Sequence, residues 1–358
     1  MAEISWSWIE KFFKNIPSLD YRLVSVSFAT ITLAIYLYAS TIINSFRLDP
    51  YYSTVIISTF ILIAILPSGI MYFIYNIKQS VEMLNHGTID YNISRSIIQD
   101  LNNRFTESRY YLVLVVLVVL PCMLIDAYSI WIGKTSTFWH WEGTTISLIF
   151  TIFYYLMGFF ISLMLATVIW ILINIRYFLI RLSSKEILSE LNINVFNGFQ
   201  VGFLSNLKNL LIKFMIYYFI CVAFAILLYV SPAQLVSYQM LLYISIDLLG
   251  MVIFLSGWIS IQNIFRRKWQ EKTMEIDNLY NDRYHELTTY ISKNMKDEKE
   301  LARLSSILDV LQKQRDKLTQ IIKGNGDFTN IAKVSFTFLG TILALARNIF
   351  DILGSKVT

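Results

Sequence analysis

The sequence predicts an all-α, polytopic membrane protein with six to seven transmembrane helices and a cytosolic helical extension. Hydrophobic residues make up 56% of the 358 residues and charged residues only 15%, whereas soluble domains carry about 25% charged residues. The mean hydropathy is +0.54. The apolar residues also occur in blocks of the length that a helix needs to cross a bilayer core, about 20 residues.

Six segments have this length. They are Leu23–Phe46, Ser53–Ile77, Tyr111–Ile132, Thr145–Leu172, Leu210–Val230 and Val236–Ile264. Pro67 and Pro121 fall inside the second and third segments. Neighbouring membrane helices can satisfy the carbonyls that proline frees, so both residues predict kinks rather than helix ends.

The distribution of Lys and Arg predicts a cytoplasmic N-terminus. With that orientation the inner segments before Arg266 hold twelve basic residues, among them Lys78, Arg104 and Arg176, and the outer loops hold only Arg47 and Lys134. Cytoplasmic loops of membrane proteins carry such an excess of positive charge. We therefore expect an integral protein of the plasma or cell membrane.

The chain beyond the sixth span predicts a cytosolic helical region at residues 266–323. Span four is expected to continue past Arg176 towards Leu191. Span six is expected to continue past Arg266 to about Ile291, because no Gly or Pro interrupts that extension. A heptad seam follows, with Arg315 in it: Leu301, Leu304, Leu308, Leu311, Arg315, Leu318 and Ile322. One interpretation is a helical hairpin packed against the inner ends of spans four and five. The other is a coiled-coil-like oligomerisation helix whose register Arg315 fixes.

Residues 324–358 have two interpretations. Val334–Ala346 is apolar but short, and an extension to Leu353 reaches spanning length while including Arg347 and Asp351. These two residues are four apart and could pair on one helix face. The segment is either a seventh span, following a six-span bundle at residues 1–265, or an inner amphipathic or re-entrant helix.

Two acidic residues lie within predicted spans, where an ionisable group is a functional hypothesis by default. Asp247 falls near the bilayer midplane, and Asp126 in the outer half of span three. Each could form a cation site, a proton relay or a polar lining, or could serve packing alone through hydrogen bonds. His140 and Trp141 could cover an external ligand pocket together with Asp126, or could anchor the chain at the interface.

Several classes of function find no support in the residues. The chain has no P-loop, dinucleotide-binding loop, HExxH or GxSxG motif, so we expect no enzyme, no catalytic residues and no cofactor. Two Cys and three His form no metal motif. Fourteen of the 30 basic residues lie between Arg266 and Lys333, intermixed with acids, which indicates a surface near lipid headgroups rather than nucleic acid.

The order of these features resembles the insect chemoreceptor-like seven-transmembrane ion channels. The shared features are short outer loops, prolonged inner helices, a cytosolic helix at Glu300–Ile322 and a final span near Asn330–Leu353. Gustatory members carry a Thr-Tyr, five apolar residues, Gln-Phe pattern in the last span. Thr337-Phe338 stands at the first pair here, but Ala344-Leu345 occupies the second, so the resemblance does not extend to gating or selectivity.

The resemblance implies a tetramer whose last span lines a cation pore and whose unknown small ligand binds among the outer helix halves. The leading hypothesis is therefore a homo-oligomeric, ligand-gated ion channel. Asp247, Thr337, Thr341, Arg347 and Asp351 are candidates for its polar path. The alternative is a membrane-anchored sensor or interaction protein that recruits a partner through its cytosolic helices. A third hypothesis is a proton-coupled transporter that uses Asp247.

Overall fold

A computed structural model describes residues 7–14, 20–42, 50–83, 91–106, 108–131, 145–184, 187, 198–229, 237–292 and 298–325. These residues form helices throughout. In chain order they are α1 (Trp8–Lys14), α2 (Tyr21–Ile42), α3 (Pro50–Met83), α4 (Tyr91–Thr106), α5 (Ser108–Trp131), α6 (Thr145–Leu182), α7 (Gly198–Tyr229), α8 (Ser237–Ser292) and α9 (Glu298–Asn325). The predicted all-α class is confirmed for this part of the chain.

The centre of the fold is a bundle of α3, α6, α7 and α8. Helix α3 packs against α7 and α6, while α8 packs against both α6 and α7. The largest fully buried side chains are aromatic and come mainly from α7, where Phe214 meets the edge of Phe73 from α3 with ring centroids 4.3 Å apart. Helix α2 covers α3 and α5 covers α6, so these two helices lie on the outside.

The outer helices expose apolar surface over most of their length. On α5 the exposed side chains include Leu112, Val116, Leu117, Leu120 and Leu124. A soluble monomer rarely exposes so large a contiguous apolar area, whereas hydrocarbon tails solvate it well. Five helices of the described chain are long and apolar enough to cross a membrane, or six if the pair Arg95–Thr106 and Arg109–Leu124, bent by 46°, is one span. The chain is thus compatible with a multi-pass membrane protein.

Helix ends agree with the sequence analysis at α8 and differ at α6. Helix α8 runs unbroken past Arg266 to Ser292, one residue beyond the predicted end. Helix α6 passes Arg176 but ends at Leu182 rather than near Leu191. Backbone bonds from Ser183 to Leu179 and Ile180 tighten the last turn, and the Ser183 hydroxyl also donates to the Ile180 carbonyl at 2.8 Å. A serine side chain that competes for helix carbonyls in this way favours termination.

Helices α8 and α9 form a hairpin. Helix α9 packs along the polar end of α8, and Arg315 Nε lies 3.3 Å from Asp277 Oδ1. The seam residues Leu304, Leu308 and Leu318 are buried. The helical hairpin that the sequence analysis gave as one interpretation is thus present in the described residues, formed by α9 and the continuation of span six. Its packing against spans four and five stays a prediction.

Candidate functional site

Asp247 is buried in α8, with 2% of its surface exposed. It lies ten residues after the start of the helix at Ser237, which is about 15 Å along the axis. From α7, the Tyr218 hydroxyl donates to the carbonyl of Ile246 at 2.6 Å. The acidic side chain thus lies inside the protein, within a helix that is long and apolar enough to cross a membrane, beside the contact of Tyr218 with α8. Its role in proton-coupled transport or in a polar path stays a prediction.

The other predicted site residues cannot be placed beside Asp247. Asp126 belongs to α5, but its side chain lies outside the part of the structure that is described. His140 and Trp141 fall in the undescribed residues 132–144. Thr337, Thr341, Arg347 and Asp351 fall in the undescribed residues 326–358. Their assignment to a ligand pocket or a polar path stays a prediction.

A polar junction at Thr167 joins three helices inside the apolar part of the molecule. Thr167 of α6 is fully buried, and its hydroxyl donates to the Leu163 carbonyl at 2.9 Å. The same oxygen accepts the indole N–H of Trp8 from α1 at 3.1 Å and lies 3.0 Å from the hydroxyl of Tyr111 from α5. A hydroxyl with this many partners ties helices α1 and α5 to the same position on α6.

Helix α1 is fixed a second time by an ion pair. The Lys78 ammonium of α3 donates to the carboxylate of Glu10, whose side chain is only 7% exposed. A carboxylate at this depth needs a cation and hydrogen bonds to offset its desolvation. Glu10 Oε1 and the indole of Trp8 therefore anchor a seven-residue helix that would not be stable alone.

A third polar cluster holds the amphipathic helix α4 against α6. Its apolar side, Ile97, Leu101 and Phe105, is buried. The Tyr177 hydroxyl of α6 donates to Asp100 Oδ2 at 2.7 Å, and the Arg104 guanidinium lies 3.4 Å from the centroid of the Tyr177 ring. Hydrogen bond and cation–π contact together orient α4 across the end of α6.

Helix α3 continues through Pro67, as the sequence predicts for a proline that does not end its helix, and the kink itself stays a prediction. The Tyr217 hydroxyl of α7 donates to the Leu66 carbonyl at 3.0 Å and to Ile65 at 3.3 Å. The Ser68 hydroxyl donates to the carbonyl of Ala64 at 2.9 Å. Gly69 has no side chain, and the Tyr217 ring occupies the space where a Cβ would otherwise lie. A tyrosine and a serine thus bind carbonyls next to Pro67, whereas its missing N–H frees the carbonyl four residues earlier, that of Ile63.

The sequence analysis did not identify α1, α4 or their polar contacts. The signal for α4 was present in the spacing of Ile97, Leu101 and Phe105, four residues apart each time. No sequence signal connects Trp8 with Thr167, which is 159 residues away. Long-range polar contacts of this kind depend on how the helices pack, and this packing cannot be read from the sequence.

The described residues contain no group of three or more His, Cys, Asp or Glu side chains that could hold a metal ion. Cys122 and Cys221 are both buried, and neither forms a disulfide within the described residues.

Comparison of the chain with protein-family models, with curated proteins and with solved structures finds no match in any of the three. The architectural likeness to chemoreceptor-like channels therefore rests on the order of features along the sequence alone.

Proposed function

We propose that the chain is one subunit of a homo-oligomeric ion channel in which the segment after Asn325 lines the pore. The observation that supports this proposal is the path of the α8–α9 hairpin. Helix α8 carries the chain away from the membrane, and α9 is long enough to bring it back. The proposed orientation places the N-terminus and the hairpin on the cytoplasmic side.

The lengths of the two helices agree. The polar part of α8, residues 266–292, extends about 40 Å at 1.5 Å per residue, and the 28 residues of α9 extend about 42 Å. The connection of residues 293–297 spans at most roughly 18 Å. It cannot reach the far end of α8, so the two helices run antiparallel.

The ion pair between Asp277 and Arg315 fixes the register of this antiparallel pair. Ten residues further along α9, Asn325 lies level with Arg267, ten residues earlier in α8. Arg267 stands in the basic sequence Arg266-Arg267-Lys268, where α8 changes from apolar to polar. The chain thus returns to the membrane surface just before its apolar segment 334–346, which favours a seventh span over a cytosolic helix.

Cysteine cross-linking tests the position of the last segment without knowledge of any ligand. In a background free of Cys122 and Cys221, Thr341→Cys is oxidised in the membrane and analysed for disulfide-linked dimers. A pore-lining helix lies near the symmetry axis, so we expect efficient cross-linking. Leu120→Cys on the exposed side of α5 is the matched control and should remain monomeric.

Ion flux tests the activity itself. Purified protein in planar bilayers should show unitary currents, and a charged thiol reagent should block them in Thr341→Cys but not in Ser305→Cys on the hairpin. Absence of cross-links at residue 341 together with absence of current would contradict the proposal.

A membrane-anchored interaction protein is the second candidate, favoured by an apolar patch near the hairpin tip. Ile291 and Leu301 are 55% and 41% exposed, and the register of the hairpin places them opposite one another. A soluble partner that co-purifies in a fixed ratio, and is lost in Ile291→Ser/Leu301→Ser, would support this function. A monomeric chain that forms no disulfide cross-links at residue 341 would agree with the interaction-protein function and contradict the channel.

A further inference from the structure

An apolar pocket of about 110 Å³ lies between α1, α2, α3 and α6. Phe13 of α1, Pro67 of α3 and Met164 of α6 form part of its wall. Ser25 of α2 also lines it, but the Ser25 hydroxyl already donates to the Tyr21 carbonyl at 2.8 Å. Since the remaining lining side chains are aliphatic or aromatic, the pocket suits a hydrocarbon ligand.

Helix α1 forms one wall of this pocket and is fixed in place. The indole N–H of Trp8 donates to Thr167 and the carboxylate of Glu10 pairs with Lys78. Trp8 also meets the edge of Phe160 with ring centroids 5.7 Å apart. The pocket is therefore held open by specific polar contacts and is not an incidental gap between loosely packed helices.

The rim of the pocket faces outward. Phe12 of α1 is 53% exposed and Phe28 of α2 is 38% exposed, and both line the pocket. The span Tyr21–Tyr38 that contains Phe28 is only 22% buried inside the protein. A ligand can thus enter sideways from the hydrocarbon of the bilayer.

A basic side chain lies close to this rim. Arg22 is exposed and is three residues before Ser25, so both lie on one side of α2. Its Nε lies 3.4 Å from the Tyr21 hydroxyl, and the Tyr21 ring meets Phe13 in the pocket wall at 6.3 Å. The nearby carboxylate of Asp20 accepts the Arg22 backbone N–H at 2.9 Å, as a helix cap does.

We propose that this pocket binds one acyl chain of an anionic phospholipid whose phosphate lies beside Arg22. An apolar cavity of roughly 150 Å³ admits benzene, so 110 Å³ holds a short stretch of methylene groups near the ester end of a chain rather than a whole lipid. The guanidinium presents a planar set of donors that fits phosphate oxygens. Arg22 lies at the start of a membrane span, where headgroups lie.

Photolabelling tests the acyl-chain site. The full chain is reconstituted in nanodiscs with phosphatidylglycerol that carries a diazirine near the ester end of one acyl chain, and labelled peptides are identified by mass spectrometry. We expect labels around Phe12 and Met164. Ser25→Leu should reduce them severalfold by filling the pocket, whereas Ser27→Leu, on the exposed side of α2, should not. Equal labelling in wild type and Ser25→Leu, with Ser27→Leu also unchanged, would overturn the proposal.

The headgroup is tested separately with variants that leave the packing unchanged. Phosphatidylglycerol should label the pocket about fivefold more than phosphatidylcholine, the factor that corresponds to roughly 1 kcal/mol for one basic residue at a membrane surface. Arg22→Gln should abolish this preference, and Arg95→Gln on the exposed surface of α4 should retain it. Labelling confined to the lipid-facing side of α5, or equal labelling by both lipids, would contradict the proposed site.

Discussion

Gly250 shows how closely α7 and α8 approach. A Cβ at this position would lie within the van der Waals surface of the Tyr218 ring, and Tyr218 is fully buried among other core side chains. The ring cannot move aside without losing the hydrogen bond from its hydroxyl to Ile246. The small residue is thus required by a single contact next to Asp247.

Gly250→Ala should destabilise the protein by about 1–3 kcal/mol, the usual cost of overpacking a core. The control is Gly257→Ala on the same helix, where the new Cβ would lie 3.3 Å from Leu179 Cδ1 and needs only a small adjustment. Thermal unfolding of the full chain in detergent measures both variants. A Gly250→Ala protein as stable as wild type would contradict the described contact.

The burial of the Glu10 carboxylate leads to a second prediction for a single residue pair. Lys78→Met removes the ammonium that pairs with that carboxylate, which should cost roughly 3 kcal/mol, in line with other broken buried pairs. Glu10→Gln/Lys78→Met removes both charges and should recover most of the loss. Lys272→Met, which breaks an exposed pair with Glu275, should cost under about 1 kcal/mol. Equal effects of the two single Lys variants would show that the Glu10 pair is not buried.

At the scale of elements, the α8–α9 hairpin is stabilised on one side of α9 only. Leu304 is 1% exposed, whereas Leu301, less than one turn earlier, is 41% exposed. Most charged pairs of the described hairpin, such as Arg283 with Glu286, join residues three apart on one exposed helix surface, and the pair of Arg315 with Asp277 between the helices is itself largely exposed, so these pairs contribute little. The hairpin therefore depends on the buried leucines.

Leu304→Ala should lower the free energy of unfolding by about 2–5 kcal/mol, because it leaves a cavity between α8 and α9. Since the contact between these two helices is small, α9 should separate from α8. Leu301→Ala removes the same atoms from an exposed position and should leave the hairpin intact. Backbone hydrogen exchange within residues 298–319 distinguishes the two. If both variants exchanged at the wild-type rate, the seam would not hold the hairpin together.

At the scale of the whole molecule, the path of the chain decides on which side of the membrane its end lies. An impermeant thiol reagent is applied to Thr358→Cys and to Ser305→Cys, each in a background free of Cys122 and Cys221. With seven spans the two positions react from opposite sides of the membrane. Reaction from the same side would leave six spans and would contradict the proposed pore segment.

The sequence predicted the helical class, the continuous helix α8 and the break before α9, because these depend on local features. No Gly or Pro interrupts residues 258–292, and polar residues follow Ser292. The partner of α9 was not predictable to the same degree. A heptad seam describes an apolar stripe, and the stripe fits another subunit, spans four and five, or α8 equally well. Asp247 was identified from its charge, but its neighbour Tyr218 lies on another helix.

The sequence by itself determined that this chain is apolar, helical and long enough to cross a membrane several times, because hydropathy and span length are sums over neighbouring residues. Only the tertiary structure decided that α1 folds back onto Thr167 and Lys78, that Tyr217 binds the Leu66 carbonyl next to Pro67, and that an apolar pocket remains beside Ser25. Each of these features joins residues tens to hundreds of positions apart. Their energies depend on distance and burial in space, which only helix packing sets.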